Sequence, residues 1–292
     1  MDFGGGGPEQ WFRRLPPVTR LLLGSSVVVT VLTNLGQLNW NQVCLHDWYD
    51  LTGNGSSGKV EAYRAFTCFL YAGQLKFGIN TLIGLHLLTQ ISARYEAMGP
   101  ICTRRVLVNP QDNQQQVQED LRRRRSPYYD RGETSDYAWA LLLGAAGIIV
   151  TNFSILPRLP TFMTRKQQYV FFFRHLTHFI VYIWTKKCPD QLVNLFGVNV
   201  RAAYLPLCYM IIGMALNNGE ALPLDIIHGC FVGHLYYYLS VVVPQVLHGR
   251  VVIATPVALV DLCNWLEGRA HVADGRSGGG PELVDVDGVI GG

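Results

Sequence analysis

Residues 222–244 read LPLDIIHGCFVGHLYYYLSVVVP, and the reading of this stretch decides the fold. It is long enough to cross a bilayer as a helix, which takes about 20 largely apolar residues. One acid, Asp225, stands near its start, and Gly229 and Gly233 lie four positions apart. Two missing side chains on one helix face let a neighbouring backbone come into close contact. His228 and His234 fall in the same segment, where a polar side chain is costly and must find a partner. A small pair alone is common in membrane helices. A close-packing face combined with Asp and His at membrane depth is more specific, and it poses a choice between a catalytic membrane site and a scaffold without chemistry.

Composition points the same way. The 292 residues are 49% hydrophobic and only 15% charged, and the long charge-free runs fit a membrane protein better than one large or two small soluble domains. The seven cysteines (Cys44, Cys68, Cys102, Cys188, Cys208, Cys230, Cys263) include no C-x-x-C. They form neither a zinc nor a disulfide framework, and buried reduced thiols are expected. No apolar core precedes Leu21, and the run that follows lacks a small-x-small cleavage site. It reads as a retained anchor rather than a removed signal.

Working outward from 222–244, six stretches are apolar enough to span: 21–38, 77–93, 137–156, 169–184, 202–216 and 221–243. The second and fifth are short, and the fourth carries Arg174. A brief run at 66–75 is expected to insert halfway from one side. With both termini on one side, the connectors on that side hold Arg13, Arg14, Arg20, Arg94, Arg104, Arg105, Arg122, Arg123, Arg124, Arg125, Arg131, Lys186, Lys187, Arg201 and Arg250. The other side has Lys59, Arg158, Arg165 and Lys166. Basic residues favour the cytosol, so six spans with both ends cytosolic are expected.

This gives an amphipathic N-terminal segment at 1–20, a membrane domain at 21–247 and a mostly disordered cytosolic tail at 248–292. The connector 94–136 is polar, Gln-rich and basic, a solvated cytosolic loop able to meet anionic lipid through its four consecutive arginines. Within the tail, residues 250–266 are apolar but broken by Pro256, which suits a short surface helix rather than a seventh span.

Intramembrane serine proteolysis needs a nucleophile, a base within hydrogen-bond reach and oxyanion donors. No Gly-x-Ser-Gly falls within an apolar run. Ser25, Ser26, Ser154 and Ser240 lie in apolar runs without flanking glycines on both sides, where a serine usually bonds its own backbone one turn back. His175 and His178 share a helix face. With Asp225, His228 and His234 they could build a metal site or proton relay, yet no His-x-x-x-His or Glu-x-x-His accompanies them. Interhelical hydrogen bonds or a wet cavity are the simpler roles. Tyr63 and Arg64, before the half-inserting run, form an aromatic–Arg interface anchor. Partly immersed, Arg64 would draw water and headgroups inward and thin the bilayer.

Taken together, these motifs resemble the Derlin family, inactive members of the rhomboid superfamily. The resemblance lies in Pro8-Glu9-Gln10-Trp11-Phe12 and Leu15-Pro16-Pro17-Val18-Thr19-Arg20, and in Tyr63-Arg64-Ala65-Phe66-Thr67, where Tyr stands for the family's Trp. It continues through Val181-Tyr182-Ile183-Trp184-Thr185-Lys186-Lys187 and Pro189, then Val193-Asn194-Leu195-Phe196-Gly197-Val198 with Ala203-Tyr204-Leu205-Pro206. Asp225 and Gly229-x-x-x-Gly233-His234-x-Tyr236-Tyr237 complete it. The resemblance covers about residues 8–256.

It implies an all-α, rhomboid-like bundle of six transmembrane helices in the endoplasmic reticulum membrane. Its implied role is non-catalytic: retrotranslocation of misfolded proteins to the cytosol for degradation. Lined up on the family, His175 occupies the place of the rhomboid serine and Ile226 that of the catalytic histidine, so no catalytic residue is expected. Bilayer thinning by Tyr63 and Arg64, a polar substrate cavity lined by His175, His178 and Asn194, and helix packing through Gly229, Gly233 and His234 are the expected working parts. Misfolded substrates, membrane lipid, a ubiquitin ligase complex and the cytosolic segregase AAA ATPase are the implied partners. The tail carries no match to the Gly-rich box that holds that ATPase; Phe3-Gly4-Gly5-Gly6-Gly7 resembles it at the opposite end. The Gly-x-x-x-Gly face leaves homo- or hetero-oligomers open. No cofactor, metal or nucleic acid is expected. Two rival readings are a small-solute transporter or channel, for which no inverted repeat is found, and an active intramembrane serine protease.

Overall fold

A computed structural model of the chain describes residues 7–46, 50, 61–74, 78–96, 133–154, 170–195, 197–216, 223–246, 253 and 255–266. Most of the 94–136 loop, with Arg122 to Arg125, lies outside them, as do residues 1–6, the tail beyond 266 and part of the first loop.

A short helix α1 (Pro8–Arg13) leads to α2 (Pro17–Asn34). Pro17 suits the first helical position because its missing N–H would have no partner there. In the first loop, α3 (Trp40–Val43) is held by a capping box between Asn39 and Gln42, and α4 (Arg64–Thr67) is a single turn. Then come α5 (Gly78–Glu96), α6 (Glu133–Ser154) and α7 (Phe173–Lys187). Lys186 and Lys187 close α7, where cations complement the helix dipole.

The all-helical reading needs one amendment. Strands β1 (Leu192–Leu195) and β2 (Val198–Arg201) pair antiparallel, Asn194 opposite Asn199. β-branched residues favour the extended chain, and the turn is made by Gly197 at φ +89°, a conformation that costs glycine little. A 3₁₀ turn (Ala202–Tyr204) leads into α8 (Leu205–Leu216). Helix α9 (Leu224–Tyr237) continues through a π-helical stretch, Tyr238–Val242, into a last turn, Val243–Val246. Finally α10 (Val257–Leu266) packs on α6, with the Thr255 hydroxyl donating to the Asp136 carboxylate.

Among the described residues two helices, Pro17–Asn34 and Thr134–Ser154, are long and apolar enough to cross a membrane; Ala202–Ala215 is apolar but shorter. The hub is α7, in which every residue from His175 to Val181 is buried. A helix covered on all sides sits at the centre of a bundle, and α5, α6, α8 and α9 all pack on it.

The contacts also fix direction. Gly84 meets Phe173 and the Arg94 guanidinium lies 5.7 Å from the Trp184 ring, so α5 runs parallel to α7. Gly229 meets His175 and Gly233 meets Tyr182, so α9 is parallel to α7 as well. Gly147 meets Val232 while Thr151 meets His228, so α6 runs against α9. Consecutive helices from α5 to α7 therefore reverse direction.

Candidate functional site

The tightest glycine-mediated helix contact among the described residues builds the site. A methyl group added at Gly229 would collide with the His175 carbonyl oxygen, and one added at Gly233 would lie 3.2 Å from the Phe179 oxygen and 3.1 Å from Tyr182 Cβ. The glycines thus let the α9 backbone approach α7 by the width of a side chain. Beside this seam the Arg174 Nε donates to the Asp225 carboxylate at 2.8 Å. The two charges that the sequence puts in apolar helices are therefore each other's partner, which offsets part of the cost of placing them there.

One turn further in, the His175 and His228 rings meet edge to face with centroids 5.1 Å apart, and Phe172 meets the other side of His175 at 5.4 Å. His228 Nε2 is hydrogen-bonded to the Thr151 hydroxyl at 2.6 Å. His178 donates from Nδ1 to the Arg174 carbonyl, 2.7 Å away, and its ring meets the edge of Tyr209 from α8. His178, Thr177, Arg174 and Tyr209 border a void of about 40 Å³, space of the order of one water molecule. His175 and His178 are thus brought together with His228, and all three are buried.

The chemistry open to this cluster is limited. Among the described residues no three His, Cys, Asp or Glu side chains are grouped to hold a metal ion. In this cluster the hydroxyl bonded to an imidazole is that of Thr151, and its oxygen also lies 2.7 Å from the Gly147 carbonyl one turn back. It sits inside a helix, where backbone N–H groups are taken by the helix itself, so no pair of them faces the hydroxyl as an oxyanion hole requires. Ser25 likewise donates to the Leu21 carbonyl, 2.7 Å away.

Other expected site residues lie elsewhere. Asn194 does not join the histidines: it is exposed in the hairpin, where its side chain accepts from the Gly197 N–H at 2.9 Å and donates to Asn199 at 3.2 Å. A polar residue followed three positions later by glycine is a turn signal, and that local bond explains its place better than a cavity does. Tyr63 is exposed. Arg64 is not: its side chain is only 13% accessible and pairs with Glu61 and, at 3.5 Å, with Asp50. Its charge is spent inside the first loop, beside Cys44, whose thiol burial pushes above its ordinary range. His234 points away from the cluster, and its Nδ1 is hydrogen-bonded to the Tyr182 hydroxyl at 2.7 Å.

A second polar centre escaped the sequence reading. The Glu96 carboxylate, at the end of α5, accepts from the Val18 N–H (3.0 Å), the Thr19 N–H (2.8 Å) and the Thr19 hydroxyl (2.7 Å). Thr19 and Ser92 hydroxyls are 2.7 Å apart, and Ser92 is 2.5 Å from the Tyr137 hydroxyl of α6. The first N–H groups of a helix need an acceptor. Pro16, preceding α2, has no side-chain acceptor to give, so an acid from another helix does the capping. The signal available in sequence was an uncapped helix start facing an acid at the end of an apolar run.

The sequence profile of the Der1-like family matches residues 15–257. Derlin-1.2 of Zea mays is 26% identical over 238 residues, covering 81% of this chain and 77% of that protein. Derlin-1 of Mus musculus is 25% identical over 270 residues, 89% of this chain and 82% of the mouse protein. The probable derlin-2 homolog of Dictyostelium discoideum is 23% identical over 261 residues, covering 89% and 84%.

Proposed function

The chain belongs to the Der1-like family, and from that membership and the histidine-filled seam between α7 and α9 we propose that it is a non-catalytic membrane factor. Its work is to move misfolded proteins from the endoplasmic reticulum to the cytosol for degradation. The observation that carries the reading is the contact of His175 with His228. A rhomboid protease needs a nucleophile on one of these helices and a base on the other; here two imidazoles fill the space between them. Helices α2, α5, α6, α7, α8 and α9 are the six spans of a rhomboid-like bundle, with both termini in the cytosol.

Two features support a path for polar chain. Helix α8 has 12 residues, about 18 Å at 1.5 Å per residue, against a hydrocarbon core of about 30 Å. A bilayer that meets so short a span thins locally, and the distance a polar polypeptide must cross falls with it. Arg64, paired within its loop, contributes to thinning by holding that loop in shape, while exposed Tyr63 meets the interface. The void beside His178 is far too small for a polypeptide, so passage requires α8 to swing away from α7 and α9. His175 and His178 then offer the groups that lipid cannot supply to a peptide backbone. A ubiquitin ligase complex and the segregase ATPase are the expected partners.

The contact of Thr151 with His228 favours one second reading, hydrolysis with a threonine nucleophile. A chase of a misfolded membrane protein after translation is blocked, in cells with and without this gene, separates the two. Loss should slow decay, and a Thr151→Val copy should restore it fully. Unchanged decay on loss overturns the retrotranslocation role. Failure of Thr151→Val at normal protein level favours hydrolysis.

A further inference from the structure

Away from the histidines, a slot of about 580 Å³ opens between the end of α7, the start of α8 and the first half of α9. Its size falls within the roughly 300–1,000 Å³ of small-molecule sites. Pro206, Leu207, Met210, Ile226 and Ile227 make apolar walls, and Tyr182, Thr185 and Lys186 stand along the α7 side. Leu207 and Ile227 are also exposed on the outer surface of the bundle, so the slot opens sideways.

Three observations limit the occupant. Among the described residues no acid lines the slot, so Lys186 leaves it net positive at one end. The Lys186 ammonium lies 5.6 Å from the centre of the Tyr182 ring, over its face, while Lys187 turns instead to Tyr95. Lys186 alone therefore serves this opening, with the Thr185 hydroxyl beside it. Finally, the volume rules out a transmembrane segment: a helix about 10 Å across fills roughly 420 Å³ per 5.4 Å turn, so little more than one turn would fit. A long, thin apolar tail with an anionic head satisfies all three.

We propose that this slot binds an anionic phospholipid, one acyl chain lying between α7, α8 and α9 and the phosphate resting on Lys186. Basic openings between membrane helices take anionic headgroups in this way, and a lysine stem can lie on apolar surface while its charge stays at the headgroup level. The inference rests on the chain lying in a bilayer and not on its role in degradation. A lipid wedged between α8 and its neighbours would also bias the position of α8.

The test uses the purified full-length protein in a neutral detergent. Its thermal unfolding is followed as phosphatidylinositol, phosphatidylcholine or the tail-free headgroup glycerophosphoinositol is added. Phosphatidylinositol should bind roughly fivefold tighter than phosphatidylcholine, the worth of one lysine near an anionic surface, and glycerophosphoinositol should not stabilise. Lys186→Gln should remove the preference for phosphatidylinositol, each lipid's stabilisation being read against the variant's own midpoint without lipid. Met210→Trp, which fills the slot, should weaken both lipids. Equal binding of the two lipids, a preference that survives Lys186→Gln, or stabilisation by the headgroup alone would each overturn the proposal. None of these outcomes bears on the chase experiment above.

Discussion

Glu96 does for α2 what no residue of α2's own start can do. The amides of Val18 and Thr19 and the Thr19 hydroxyl all converge on its carboxylate, so one side chain ties α2 to α5, and through Ser92 to Tyr137 of α6. Removing the acceptor leaves buried donors unpaired, at about 1–3 kcal/mol for each group. Glu96→Ala is therefore expected to lower the thermal unfolding midpoint of the protein in detergent. Glu9→Ala, which removes only the exposed pair with Arg13, should leave the midpoint where it is. Equal midpoints for both variants would mean that Glu96 is not the cap of α2. At this scale the sequence was legible only where chemistry was conspicuous: Asp225 and Arg174 were visible as charges in apolar runs. Glu96 sits at the edge of its run, where an acid looks like ordinary interface, and Thr151 in α6 carries no mark that sets it apart from other helix threonines. Asn194 was misjudged because a polar residue near the membrane suggests a cavity, whereas its bond to the Gly197 amide is settled within four residues.

Between elements, the seam of α7 and α9 is the most exacting contact. Leucine at 229 must displace the His175 carbonyl, and backbone cannot yield as a side-chain tip can. Overpacking of this kind costs about 1–3 kcal/mol and more where backbone must move. Gly229→Leu should thus reduce folded protein sharply, as read by steady-state level and by resistance to limited proteolysis. Leucine at Gly7, which has open space around it, is the matched control. Normal level and protease resistance for Gly229→Leu would show that α9 stands further from α7 than described. This seam was readable in advance because Gly-x-x-x-Gly states its purpose in residue size alone. The hairpin was harder: Leu192–Arg201 is too short for its alternation to stand out among apolar runs. The single turn of α4 sits where Arg64 pairs with Glu61 three residues before it and with Asp50 across the loop, and one turn is too short to leave a periodic trace.

For the whole molecule, the proposed path beside the histidines turns on whether α8 can move. Helix α8 is shorter than α2, α5, α6, α7 and α9, and it touches the histidine seam through Tyr209 against His178 and Gly213 against Pro223 and Ile226. If substrate passes beside the histidines, α8 must leave this position, and a covalent tie should stop passage without changing the resting structure. A Cβ placed on Gly213 lies 3.3 Å from Pro223 Cβ. Disulfides need about 3.5–4.5 Å between these atoms, so a shift of a few tenths of an ångström suffices. Sequence reasoning put both positions at the lumenal end of the bundle, where oxidising conditions let such a bond form. The double variant Gly213→Cys with Pro223→Cys should accumulate normally, show a reductant-sensitive change in gel mobility, and fail to speed decay of the misfolded substrate. Each single variant should behave as the unaltered protein. Normal substrate decay in a population shown to be fully cross-linked would mean that α8 does not move, and the path would have to lie on another face of α7.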